Sequence, residues 1–138
     1  MPDAPGPETH LVGKHAVTLE GDIIHLDYAG DYSGDEAVEI TRLCSEATRR
    51  HPRSYILCNT ANAGTVSHEA RQVWIAWFSD HKVEAIVCYG AGSFTTRTLI
   101  KMVAASARVL LGIEPNFVFT SAEADARAWI HQHRGQAS

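Results

Sequence analysis

What most constrains the fold of this chain is a repeated pairing. Three short apolar runs, "SYILCN", "EAIVCY" and "PNFVFT", are each followed by a stretch with helical periodicity. Runs this short, without polar–apolar alternation, suit strands covered on both faces, and a helix after each suits parallel strands joined by crossovers. The first is followed by "VSHEARQVWIAWFSDH", with Val66, Ala70, Val73 and Trp77 on one stripe. The second is followed by "FTTRTLIKMVAASARVLLG", with Leu99, Met102, Val103, Ala107 and Leu110 on its stripe and Gly112 as a helix stop. The third is followed by "SAEADARAWIHQH", where Thr120 and Glu123 have the spacing of a capping box.

Upstream, "HAVTLE" and "IIHLDYAG" are two β-rich runs separated by Gly21-Asp22, a dipeptide suited to a two-residue hairpin turn. The helix pattern of "YSGDEAVEITRLCSEATRRH" comes next. Ser33 and Glu36 form a capping box, Ala37, Ile40, Cys44 and Ala47 recur at helical spacing, and Arg49 and Arg50 complement the helix C-terminus. The order β-β-α-β-α-β-α-β-α predicts an α/β domain with a mixed, mostly parallel sheet of about five strands and an N-terminal antiparallel hairpin. The opening "MPDAPGPETH" is proline-rich and lacks the apolar segment of a signal peptide. Residues 1–13 are therefore expected as a disordered arm before a single domain over 14–138.

Composition removes several function classes. Net charge is −4, from 12 basic and 16 acidic residues, with no basic block of the kind that binds nucleic acid. No run approaches the roughly 18 apolar residues of a transmembrane segment. The three cysteines, Cys44, Cys58 and Cys88, lack zinc spacing and are odd in number, so free buried thiols in a reducing cytoplasm are expected. The eight histidines (His10, His15, His25, His51, His68, His81, His131 and His133) show no metal-binding spacing, and no metal or cofactor is expected. Ser67-His68-Glu69 are adjacent on a helix and cannot face one another as a triad. Asp27 and Asp31, near the end of the second strand, read as solvated acids. No enzyme is expected.

The stretches "SYILCNTANAGTVSHEARQ", "EAIVCYGAGSFTTRTLIKMV" and "PNFVFTSAEADARAWI", in this order, resemble the STAS domain family, most closely its SpoIIAA-like, anti-sigma-factor-antagonist-like branch. The similarity covers about residues 14 to 134 and rests on the order of elements and their joints. It implies a docking and switch module of bacterial-type signalling, cytoplasmic, that binds a protein partner such as a kinase or regulator. In the family, a Ser or Thr at the start of the helix after the third strand is phosphorylated, within a motif close to Asp-Leu-Ser-x-Val-x-Phe-Ile-Asp-Ser-Ser-Gly. Here Asn59 replaces the leading Asp, and Ser67-His68-Glu69-Ala70 stands where Asp-Ser-Ser-Gly is expected. Some members of the branch are viewed as binders of apolar ligands or membrane surfaces.

Three candidate sites follow. The loop after the third strand, with Asn59, Thr60, Asn62, Thr65 and Ser67, is a candidate phosphoacceptor or docking loop; its residue types equally suit a turn and a helix cap. The turn of Gly90, Gly92, Ser93, Thr95 and Arg97 is a candidate weak anion site. It lacks the third glycine of a dinucleotide fingerprint, and a strand-to-helix turn explains its residues. Finally, Trp74, Trp77, Phe78, Phe94, Met102 and Val103 make two helices apolar over more than one stripe. A wide core contact accounts for this, as would a homodimer face or an apolar ligand pocket between the helices.

Overall fold

The computed structural model describes residues 7–90 and 117–137. Strands β1 (Glu8–Val12), β2 (His15–Glu20) and β3 (Ile23–Tyr32) lead into helix α1 (Gly34–Arg50). Strand β4 (Tyr55–Val66), helix α2 (His68–Asp80) and strand β5 (Ala85–Tyr89) follow. After the segment 91–116, β6 (Phe117–Phe119) and α3 (Glu123–Ala137) close the described chain. The six strands form one sheet in sequence order; β1, β2 and β3 pair antiparallel, and β3 to β6 run parallel.

The mixed α/β architecture is the one expected, with two differences. The sheet has a sixth strand, β1, cut from the stretch expected as a disordered arm. The prolines of that arm end at Pro7, and the next five residues are free to pair: Thr9 and Thr18 hydroxyls meet at 3.1 Å, and Val12 is buried. The second difference is β4, which runs on through Val66 where a loop over Asn59–Ser67 was expected. Asn, Ala and Gly are poor strand formers, but the ten-residue β3 continues alongside and pairs Ala29 with Asn62, Gly30 with Ala63 and Tyr32 with Val66. Tertiary pairing overrides local propensity here.

That pairing is irregular. Between Asp27 and Ala29, and again between Gly30 and Tyr32, β4 carries one more residue than β3, so two bulges bend its outer half. Side chains take over where the ladder is interrupted. Asn59 Nδ2 donates to Asp27 Oδ1 at 2.9 Å, and the Thr65 amide donates to Asp31 Oδ1, also at 2.9 Å. The two acids read as solvated thus pin the second half of β4. Gly64 is required by the same contact: a Cβ there would stand 2.6 Å from Asp31 Oδ1 and 2.8 Å from the Gly30 carbonyl carbon.

The sheet has a core on each face. On one, Val17, Ile24, Leu26, Ile56, Cys58, Ile86 and Cys88 pack with α1 and α2; on the other, Ile23, Tyr55, Leu57, Val87 and Tyr89 pack with Ala126 and Ile130 of α3. Helix α1 starts with the expected capping box and buries Ala37, Ile40, Cys44 and Ala47. His15, 1% exposed, ties its first turn to the sheet: Nδ1 accepts the Ala29 amide at 3.0 Å, so Nε2 carries the proton and lies 3.3 Å from Glu36 Oε1. The start of α3 differs from the capping box expected for Thr120. The Thr120 hydroxyl instead bonds the Cys88 carbonyl at 3.2 Å, and Glu123 pairs with Arg127 at 2.8 Å.

Candidate functional site

The bulged half of β4 and helix α2 border an apolar cavity of about 100 Å³ on the α1/α2 face of the sheet. Its floor is made by Leu26, Tyr28, Gly30 and Tyr32 of β3, Ile56, Cys58, Thr60, Ala63, Gly64 and Val66 of β4, and Ile86 and Cys88 of β5. Arg71, Trp74 and Phe78 of α2 and Phe117 of β6 complete the described lining. It lies toward the carboxyl ends of the parallel strands, where open α/β sheets place their sites.

The position of α2 over this floor follows from its sequence. Ser67 is its N-cap, accepting the Ala70 amide at 3.0 Å, and Ala70, Trp74, Trp77 and Phe78 form its buried face. Val73, placed on the stripe by spacing, is half-buried instead, and Val66 belongs to β4. Trp74 Nε1 donates to Tyr32 Oη at 2.7 Å, linking helix to sheet at the cavity wall. Trp77 Nε1 donates to Ser45 Oγ at 2.9 Å, fastening α2 to α1, and His81 at the end of α2 stacks on the Trp77 ring at 4.4 Å between centroids. Of the residues that suggested a dimer face or pocket, Trp74, Trp77 and Phe78 are engaged in packing inside the described chain. Trp74, Trp77 and Phe78 are each less than one-tenth exposed, and only Trp74 and Phe78 reach the cavity.

Among the described residues, the cavity wall is electrically quiet apart from one group. Burial pushes the Tyr28 and Tyr32 phenols well up, so both stay neutral. The hydrogen bond to Cys88 and burial likewise push the Cys58 thiol up, and Cys44 behind it is raised by burial. Neither thiol is ionised for nucleophilic chemistry at neutral pH. The exception is Arg71, a cation whose Nε is buried and has no hydrogen-bond partner among the described residues. Spacing analysis passed over it, because an Arg in the first turns of a helix reads as solvated surface.

The residues of the expected docking loop are dispersed. Thr60 is buried, donating from Oγ1 to the Tyr89 carbonyl at 3.0 Å, while Asn59 is half-buried and bonded to Asp27. Asn62 and Thr65 are exposed on the strand, and Ser67 is half-buried at the helix start. Of the anion-binding turn, Gly90 has φ +69°, a conformation that glycine takes without strain, and its amide reaches the Ser121 carbonyl at 3.3 Å. Gly92, Ser93, Thr95 and Arg97 lie outside the described residues, as do Phe94, Met102 and Val103 and the helix expected around them.

A second polar cluster sits on the α3 face. His25 Nε2 and Tyr89 Oη are 2.7 Å apart, Tyr89 donates to Glu123 Oε1 at 3.3 Å, and Arg127 donates to Glu20 at 2.8 Å and to Glu123 at 2.8 Å. Arg127 holds the Glu123 carboxyl below the usual range, and burial followed by the Glu123 charge pushes Tyr89 up. With Arg127 paired to both Glu20 and Glu123 and the phenol neutral, this cluster clamps α3 to the sheet. Among the described residues, no three His, Cys, Asp or Glu side chains converge as metal ligands, and no helix is long and apolar enough to cross a membrane.

No family model matches the chain, and no curated protein matches it. Among solved structures, it is similar to a DUF3478-family protein with a SpoIIAA-like fold from Shewanella loihica PV-4. The match has 13% identity and a TM-score of 0.54, over 94% of this chain and 97% of the other. At that identity the likeness establishes the fold, and the fold is SpoIIAA-like.

Proposed function

We propose that this SpoIIAA-like domain is a non-enzymatic binding module for a small apolar molecule, held in the cavity beneath α2. The reading is carried by the cavity itself: a space of about 100 Å³ whose described wall is almost wholly apolar, toward the carboxyl ends of the parallel strands. Such a space has few partners to offer water and gains free energy when filled by hydrocarbon. Its neutral phenols and thiols bind and orient without reacting. Calorimetric titration with 1-octanol tests this. A saturable one-to-one heat is expected, lost in Ala63→Phe, which places a ring in the cavity; no saturable heat with the folded wild-type chain would refute it.

Ser67 favours a second reading, docking of a protein partner under phosphorylation control, as the family resemblance implies. It is the N-cap of α2, where a phosphoryl group meets the positive end of the helix and adds charge to the surface without unfolding it. Ser67→Asp then changes partner binding in pull-downs while the melting temperature holds. Identical profiles for wild type, Ser67→Asp and Thr65→Asp would end this reading.

A further inference from the structure

Arg71 is a cation in an unfavourable place. It stands in the first turns of α2, near the positive end of the helix, where a negative group is preferred. Its side chain lines the apolar cavity, and its Nε is shielded from solvent with no acceptor among the described residues. The side chain as a whole is half-buried, but a desolvated N–H donor without a partner costs free energy, and nearly all such groups in folded proteins are satisfied. The other described wall residues are apolar or neutral, so nothing there repays that cost. An anion entering beside an apolar chain would.

We infer that the ligand of this cavity is a short-chain amphiphilic carboxylate, its alkyl part against Leu26, Ile56 and Phe78 and its carboxylate on Arg71. This rests on the apolar-ligand reading above and adds the head group to it. A guanidinium pairs with a carboxylate through parallel charge-assisted hydrogen bonds, which are stronger in a low-dielectric wall than in water. The cavity has room for several waters, and thus for a short alkyl chain rather than a long-chain lipid. The helix amides near Ser67 lend further positive potential to the same end of the space.

Octanoate and 1-octanol separate the two claims, since they share a chain and differ in the head group. In calorimetric titrations of the full chain, octanoate is expected to bind about tenfold more tightly than octanol, the worth of a charge-assisted hydrogen bond. Arg71→Gln should abolish that tenfold preference, bringing octanoate affinity to or below that of octanol in the same variant, while Arg71→Lys should restore part of the preference. Octanoate binding should weaken with added sodium chloride and octanol binding should not. Equal affinities for the two probes in wild type would overturn the head-group inference and leave the apolar-ligand reading standing. So would an octanoate preference that survives in Arg71→Gln. Binding of neither probe would overturn both. If Arg71→Gln fails to fold, the wild-type comparison and Arg71→Lys still decide the matter.

Discussion

Tyr32→Phe probes the joint that holds α2 over the sheet. Tyr32 and Trp74 are 5% and 8% exposed, and the indole Nε1 donates to the phenol oxygen at 2.7 Å. Removing one oxygen leaves the aromatic volume intact, so no cavity cost arises. It does strand the Trp74 N–H in a wall of hydrocarbon. An orphaned buried donor costs about 1–3 kcal/mol, which for a chain of this size lowers the melting temperature by roughly 3–9 °C. Trp74→Phe removes the donor and loses ring volume as well, so its own cost is larger. The double variant should be more stable than the sum of the two losses implies, because no orphan remains once both partners are apolar. Urea unfolding of the four proteins gives the coupling. A Tyr32→Phe loss below about 0.3 kcal/mol, with additive single effects, would refute the claim that this bond fastens the helix.

Three further outcomes are expected. Glu36 is held below its usual range, first by the Ser33 amide, and Glu123 is held below it by Arg127. Their stabilisation is full at neutral pH, begins to fail as pH falls toward the ordinary Glu value of about 4.3, and is gone below the depressed folded values. Acid unfolding of Glu36→Gln should therefore show a shallower pH dependence than wild type, and equal slopes would contradict the assignment. Gly64→Leu should destabilise by more than about 2 kcal/mol in urea, because its side chain meets Asp31 and the Gly30 backbone; a neutral result would place β4 elsewhere. Finally, the buried Cys44, Cys58 and Cys88 should resist a maleimide at pH 7.5 until the chain unfolds, and rapid native labelling would show an open cavity wall.

The fold was legible where local signals and tertiary structure agree. The Gly21-Asp22 hairpin, the Ser33 capping box and the buried runs of β4 and β5 all stand where spacing placed them. The outer half of β4 was not, because Asn59–Gly64 has loop chemistry and becomes strand only by pairing with β3 across two bulges. That partner lies some thirty residues away, and no local pattern encodes it. The same long-range pairing hid the site. Tyr28 falls in the second hairpin run, Tyr32 at the head of the helix stretch, and Arg71 carries no signal; they share a cavity wall because the bulges turn β4 beneath α2. Trp74 was singled out for its ring, but its hydrogen bond to Tyr32 spans 42 positions and has no signature in either segment.

The central claim is that a small apolar molecule enters the cavity beneath α2, and its location can be read directly by two-dimensional NMR of the ¹⁵N-labelled chain titrated with 1-octanol. Saturable shifts are expected at the Trp74 indole N–H and at the amides of Thr60, Ala63 and Val66, with the Trp129 indole on the opposite face unmoved. Shifts that never saturate, or that fall on Trp129 and α3 while Trp74 stays still, would contradict it.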